Sequence, residues 1–296
     1  MVKPNKTIII LGSAGFIGKN LALQALEKEF KVIGIDKTSS KEINHQNYQF
    51  FKCPIEEFDF DSLPNENIHA LYHLVARTDL NGKSIGDYKI NYLFPPSLIN
   101  YCRNNKIKFI FFSTQLVHKY GCEASTFLNA DTYYGASKVI GELEVKNNFE
   151  DYLIVRPSSV WGPSMKKPYS EFFTLASKLG FVINSSLFDV LKSFYYVGNV
   201  LEDTQCSENL IYLTNQPYSL STWMSDVAKS GNYREVKIPK SLIRLIFRLG
   251  WSFRIQMLNK RRFVNMTTST QINDFIPIKA SRIREGMFMT WQTFRK

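Results

Sequence analysis

The chain has 296 residues, 44% of them hydrophobic, which suffices for a large α/β domain or for such a domain carrying a smaller lobe. No run of about 18 uncharged apolar residues occurs, which excludes a transmembrane helix from the reading, and the opening MVKPNK passes straight into an apolar strand without a signal-peptide pattern. The formal charge of +11 is concentrated: Lys240, Arg244, Arg248, Arg254, Lys260, Arg261 and Arg262 share a stretch that has no acid, whereas the earlier part of the chain mixes both signs.

Ile8, Ile9, Ile10 and Leu11 form a short run rich in β-branched residues, as expected of a parallel strand buried on both faces. Gly12, Gly15 and Gly18 follow at three-residue spacing, and helical spacing continues through Ile17, Leu21, Ala22, Ala25 and Leu26. A helix opening at such a turn offers N–H groups and a positive dipole end to a diphosphate. Gly12 would allow the tight turn, Gly15 the approach of backbone to phosphate, and Gly18 the packing of helix on strand. Lys31 to Ile35 reads as a second strand ending in Asp36, an acid about 20 residues beyond the glycines, where it can accept ribose hydroxyls.

Tyr48 to Lys52 reads as the third strand, Glu56 to Leu63 as a short helix, and Ala70 to Leu74 as the fourth strand. Val75 to Asn81 then falls where an open parallel sheet places its ligands, so Arg77 and Thr78 are read as lining a substrate pocket. Pro95 and Pro96 lie inside a helix carrying Asn91, Leu98, Ile99 and Cys102, and must kink or interrupt it. Phe109 to Phe112 is the fifth strand, ending in Ser113 and Thr114; a helix from about Thr132 to Asn147 follows, and Tyr152 to Val155 makes a sixth strand closed by Arg156 and Pro157. The alternation predicts an α/β fold, a doubly wound parallel sheet over residues 1–163. Phe194 to Val197 and Leu210 to Leu213 are read as strands returning to it within 191–216, and residues 164–190 and 217–296 as a smaller C-terminal substrate lobe. Cys53, Cys102, Cys122 and Cys206 are spread without a CxxC pair and the histidines lack metal spacing, so reduced thiols, a cytoplasmic setting and no metal are expected.

Tyr134 and Lys138 are four apart on the predicted helix and share one face. An ammonium beside a phenol favours the phenolate, drawing tyrosine from its usual pKa of about 10 towards use as a base. Thr114, at the mouth of the fifth strand, can hold the substrate oxygen. YxxxK by itself is a common spacing, and a surface tyrosine with a solvated lysine is the bland alternative. The position of the pair after a nucleotide turn and a Ser-Thr strand end is what makes it a proton-transfer set.

LGSAGFIG, Asp36, the HLVA of His73 to Ala76, Asn91, FFSTQLV, YYGASKVIGE and VRPSSVWGP resemble, in order and spacing, the extended short-chain dehydrogenase/reductase family of NAD-dependent sugar epimerases and dehydratases. The resemblance implies a Rossmann domain with Thr114, Tyr134 and Lys138 as its catalytic set. NAD would be held by Gly12, Gly15, Phe16, Ile17, Gly18, Asp36, Lys37, Leu74, Val75, Ala76, Asn91, Tyr134, Lys138 and Pro157. Asp36 favours NAD over NADP, while adjacent Lys37 leaves some room for the phosphorylated form. The 4,6-dehydratases of the family carry Asp-Glu directly after the threonine; here Gln115 and Leu116 stand there, and neither can perform that proton work. Oxidation at C4 with return of the hydride, a C4 epimerisation, is therefore favoured. A 4-keto-sugar reductase that consumes NAD(P)H, and a non-catalytic dinucleotide-binding sensor or scaffold, are the alternatives.

LKSFYYVGNV, Leu191 to Val200, and the basic apolar segment after Pro239 resemble the branch that epimerises N-acetylhexosamine on polyprenyl diphosphate in O-antigen assembly. The substrate implied is a sugar on a nucleotide or polyprenyl diphosphate in surface-polysaccharide synthesis. Lys192 would meet the diphosphate as a point charge where many relatives have arginine, and Ser159 replaces a substrate-contacting asparagine. A homodimer is expected, and nucleic acid is not. Ser241 to Phe263 has two readings: contact with the inner face of the cell membrane, or a lobe helix packed inward with its arginines to water. His118 reads as a loop residue and Trp161 as packing beneath the lobe.

Overall fold

Ile8, Ile9 and Ile10 are fully enclosed, as are Phe109 and Phe111, and strands that carry such residues on both faces have to be covered by helices on both sides. The structure, a computed structural model, describes residues 6–39, 43–119, 128–166, 169–253, 258, 260–270, 272, 276 and 280–294; Cys122 and Arg254 lie outside the described residues. In chain order the first elements are β1 (Thr7–Leu11), α1 (Phe16–Glu27), β2 (Lys31–Asp36), β3 (Tyr48–Lys52), β4 (Ile68–His73), α2 (Pro96–Asn104), β5 (Phe109–Phe112), α3 (Tyr133–Asn148) and β6 (Tyr152–Pro157). There follow β7 (Ser159–Trp161), α4 (Tyr169–Leu179), β8 (Phe181–Asn184), β9 (Leu191–Lys192), β10 (Phe194–Tyr196), α5 (Val200–Asp203) and β11 (Leu210–Leu213). The last are β12 (Tyr218–Ser219), α6 (Leu220–Gly231), β13 (Arg234–Lys237), α7 (Lys240–Ser252), α8 (Lys260–Thr267) and α9 (Ala280–Phe294).

Seven parallel strands form the main sheet in the order β11-β6-β5-β4-β1-β2-β3. The strand order reverses between β1 and β4, so the carboxyl ends of these two strands flank the crevice in which an open α/β sheet receives a ligand. The fold is the doubly wound, Rossmann-like sheet expected. Contacts divide the described chain into two compact units, one of residues 6–119, 128–158 and 197–213, the other of 159–196 and 214–294. In the second unit the strands pair two by two: β10 with β7, β12 with β9 and β13 with β8. Trp161 packs there as expected, buried with its ring 5.0 Å from Tyr196 and 6.1 Å from Trp223.

Several local expectations need correction. Phe194–Tyr196 does not return to the main sheet: it pairs with β7, and the Phe194 ring stacks on Trp223 at 5.3 Å, whereas Leu210–Leu213 does rejoin, beside β6. The stretch Glu56 to Leu63 is not one helix but two 3-10 turns, Ile55–Glu57 and Phe60–Ser62. Of the two outcomes expected at Pro95 and Pro96, a kink or an interruption, the structure shows the interruption. Asn91 ends a separate 3-10 stretch, Ile85–Asn91, and α2 starts with Pro95 as its N-cap and Pro96 as its first residue. There a missing N–H costs no helical hydrogen bond and a fixed φ favours initiation.

Among the described residues Cys53, Cys102 and Cys206 are free thiols, no cluster of metal-ligating side chains occurs, and no helix is long and apolar enough to cross a membrane.

Candidate active site

The turn after β1 is built from backbone alone. Gly12 has φ +87°, a conformation L side chains avoid, and a Cβ there would lie 3.0 Å from both Leu74 C and Val75 N. A Cβ at Gly18 would lie 2.2 Å from Gly12 O. Leu74 N–H donates to Leu11 O at 2.9 Å, so the ends of β1 and β4 meet at this turn. Gly15 is the N-cap of α1, no side chain caps the helix, and its first turn has no acid. The N–H groups of that turn, which include those of Phe16 and Ile17, lack intrahelical partners by geometry and present a positive end to an anion.

Asp36 closes the other side of the turn. Its Oδ2 accepts from Ala14 N–H at 3.0 Å, and its Oδ1 from the N–H and hydroxyl of Thr38 at 2.9 and 2.8 Å. The carboxylate is thus held beside the glycine turn, half-exposed, and Lys37 next to it is exposed. A backbone cradle that side chains would fill, an uncapped helix end and a fixed acid fit the diphosphate and ribose of a dinucleotide.

The titratable set forms at the carboxyl end of β5. Thr132 caps α3 by accepting from Gly135 N–H at 3.0 Å, and the helix then carries Tyr134 and Lys138 on one face. Close approach depends on Gly135, whose Cβ would fall 2.1 Å from Leu116 O. The hydroxyls of Tyr134 and Thr114 are hydrogen-bonded. Lys138 Nζ donates to Phe112 O at 2.8 Å and lies 4.5 Å from the centre of the Phe111 ring. All three side chains are buried.

The electrostatics run against the expectation that Lys138 lowers the tyrosine pKa. Burial pushes the Tyr134 phenol up to about 12, with the hydrogen bond from Thr114 opposing and the nearby Tyr88 reinforcing. Burial also draws the Lys138 ammonium down to about 7, against the attraction of Glu142. Desolvation penalises the charged form of each, so in this environment the neutral phenol is favoured.

Asn91, expected at the cofactor, is a brace. Its Oδ1 accepts from Arg77 N–H at 2.8 Å, while its amide donates to Arg77 O at 3.0 Å and to Ser137 Oγ at 2.9 Å. Ser137 Oγ in turn donates to Tyr134 O at 2.6 Å, which ties the segment after β4 to the first turn of α3. Arg77 turns to its own loop: it pairs with Asp79 at 2.7 Å, donates to Asp87 O at 3.2 Å and lies over the Tyr88 ring at 5.0 Å. Thr78 is exposed, and Val75 and Ala76 continue the half-buried segment from Leu74. Pro157 ends β6 opposite Leu213.

Two residues expected at the substrate belong to the second unit. Ser159 begins β7. Lys192, expected to present a charge to a diphosphate, is buried, and its Nζ donates to Thr268 O at 2.5 Å and Thr270 Oγ1 at 3.2 Å. Burial lowers its pKa to about 8.

Sequence reasoning missed a buried polar network behind the set. Glu142, one turn beyond Lys138, accepts from Ser113 Oγ at 2.6 Å and from Arg156 Nε and Nη2 at 2.9 and 2.6 Å. Arg156 Nη1 donates to Tyr212 Oη at 2.7 Å, and Tyr212 is bonded to His118 Nε2 at 2.8 Å. His118 is a loop residue, as expected, and this bond holds it buried. The available signal was a glutamate four residues past Lys138, together with an arginine at the end of a buried strand.

Comparison with known proteins agrees with this layout. The model described as the NAD dependent epimerase/dehydratase family matches residues 8–179. The dTDP-D-glucose 4,6-dehydratase of Dictyostelium discoideum is 31% identical over 202 residues, 55% of this chain but only 45% of that protein. The UDP-glucose 4-epimerase of Vibrio cholerae is 24% identical over 244 residues, covering 74% of each chain. Among solved structures, the UDP-glucuronic acid 4-epimerase of Bacillus cereus in complex with NAD superposes with a TM-score of 0.68 at 19% identity, over 97% of this chain and 98% of that one. At that identity the likeness concerns the fold.

Proposed function

Because the chain belongs to the NAD dependent epimerase/dehydratase family, we propose that it is an NAD-dependent C4 epimerase of a sugar carried on a diphosphate, nucleotide or polyprenyl, in surface-polysaccharide synthesis. The observation that carries the reading is the enclosed Thr114, Tyr134 and Lys138 set, followed by a turn that holds no acid. Gln115–Val117 is that turn, and Leu116 N–H donates to Thr114 Oγ1 at 3.2 Å. Dehydration would need an acid and a base in these positions; reversible oxidation at one hydroxyl needs a single proton-transfer group.

Gly12, Gly15, Phe16, Ile17 and Gly18 would hold the diphosphate of NAD, and Asp36 its adenosine ribose. A carboxylate fixed in that place repels a phosphorylated ribose, which supports NAD over NADP. Bound NAD would supply the hydride acceptor for C4 and a cationic ring that favours the phenolate. Thr114 orients the C4 hydroxyl, and Tyr134 Oη takes its proton and later gives it back. Burial excludes water from both half-reactions and favours the protonated phenol that the return step requires. Lys138 Nζ, which donates to Phe112 O, would hold the nicotinamide ribose. Asn91 and Ser137 keep the first turn of α3 in register with the end of β4.

Incubation of the protein and NAD with UDP-N-acetylglucosamine, and separately with its polyprenyl-diphosphate counterpart, tests the reading when product stereochemistry is followed by NMR. Inversion at C4 without net change in the NAD pool is expected with one carrier. Stoichiometric consumption of reduced cofactor would replace the epimerase by a 4-keto-sugar reductase.

A further inference from the structure

Helix α7 carries two apolar faces, and the molecule uses one. Ile243, Phe247 and Gly250 turn inward and are buried, and the Phe247 ring lies 5.1 Å from Phe263 of α8. A Cβ at Gly250 would lie 2.2 Å from Leu258 Cβ, so the helix is pressed close on that side. The outward row is Leu242, Leu245, Leu249 and, at the C-cap, Phe253, exposed by 42, 51, 50 and 75%. Spacings of three and four residues place these side chains in one stripe along the helix. Lys240, Arg244 and Arg248, also exposed and four apart, form a second row, with the small Ser241 and Ser252 between the two.

An exposed leucine alone needs no explanation, but a stripe of four large apolar side chains beside a basic row does. No Asp or Glu occurs in the sequence from Lys240 to Asn273. On α8, Arg262 is paired with Glu171 at 3.2 Å while Lys260 is exposed, and on α7 the three basic side chains face outward together. A second copy of this chain docked face to face would set Lys240, Arg244 and Arg248 against their own kind, which disfavours that occupant.

We propose that α7 lies in the surface of an anionic lipid bilayer, with Leu242, Leu245, Leu249 and Phe253 in the boundary between headgroups and acyl chains and with Lys240, Arg244 and Arg248 on lipid phosphates. Apolar area and basic charge act together in such binding, and each alone is weak. The surface stands apart from the epimerase reading, and its test involves no turnover.

The full chain is floated with vesicles of phosphatidylcholine alone and of phosphatidylcholine mixed with phosphatidylglycerol. Wild type floats with the mixed vesicles only, and binding falls as salt shortens the screening length from about 10 Å at 0.1 M to about 3 Å at 1 M. Leu245→Ser with Leu249→Ser, and separately Arg244→Glu with Arg248→Glu, each lower the partition coefficient at least about tenfold. These residues are exposed, and unchanged thermal unfolding of both variants shows that the loss is one of surface. Failure of wild type to float with anionic vesicles overturns the proposal. So does wild-type binding by both variants, equal binding to neutral vesicles, or a solution dimer abolished by the leucine pair without vesicle binding.

Discussion

Around α3 the sheet unit encloses ions: Glu142 and Arg156 are buried and bond to each other and to the buried side chains of Ser113 and Tyr212. Around α7 the second unit does the reverse and leaves Leu245, Leu249 and Phe253 in water. Buried charge is costly and is tolerated where geometry must be held rigid, because each partner is needed by the other. Exposed apolar surface costs the fold little, and it stays available for a partner. The contrast separates a region that encloses its charges from one that exposes apolar side chains.

The largest test of the contrast is Tyr134→Phe. It removes the proposed proton-transfer group while leaving the ring in place, and turnover measured by NMR should fall about 10²–10⁴-fold with the unfolding midpoint little changed. Glu142→Gln strips the charge from the network and leaves Arg156 buried beside a neutral amide. Urea unfolding should show a loss of roughly 3–5 kcal/mol, and a loss below about 1 kcal/mol would mean that the network is not holding the site.

Lys138→Met tests the buried ammonium. The folded pKa, about 7, lies below the usual 10.5. The unfolded chain therefore binds the extra proton between these values, and stability rises with pH across that window. The penalty is fully present below about pH 7 and vanishes above the unfolded value. The variant should exceed wild type in stability at pH 6 by an amount on the order of a few kcal/mol, with the gain fading as the pH approaches 10.

Two substitutions on α7 repeat the contrast on one helix, and the second of them carries the smallest effect. Phe247→Ala, on the inward face, should cost about 3–5 kcal/mol. Leu249→Ser, on the outward face, should change stability by no more than about 0.5 kcal/mol. Equal costs at the two positions would mean that the outward row is covered in solution.

Local pattern carried the reading far in the sheet unit. The run Ile8 to Leu11, the glycine spacing, the acid at Asp36 and the strand end at Thr114 are short-range signals, since each depends on backbone conformation within a few residues. The same reasoning left open whether Pro95 and Pro96 kink or interrupt the pattern, since a proline pair inside a helix and one at a helix start differ only in where the preceding segment ends; the segment ends at Asn91. It placed Phe194 in the wrong sheet because an apolar strand does not state its neighbour; the stacking on Trp223 does.

What the sequence by itself determined is the order of most elements, the glycine turn after β1 and the helical face that Tyr134 shares with Lys138, all written in periodicity and in residue chemistry at fixed spacing. Only the tertiary structure decided that Asn91 braces the segment after β4 against α3, that Lys192 donates to Thr268 and Thr270, and that Glu142, Arg156, Tyr212 and His118 form one network. It also separated the two faces of α7. These are matters of burial and partnership between residues distant along the chain. The phenol of Tyr134 moves up, opposite to the expectation from its neighbour Lys138, because desolvation depends on everything that surrounds a group and not on what lies four residues away.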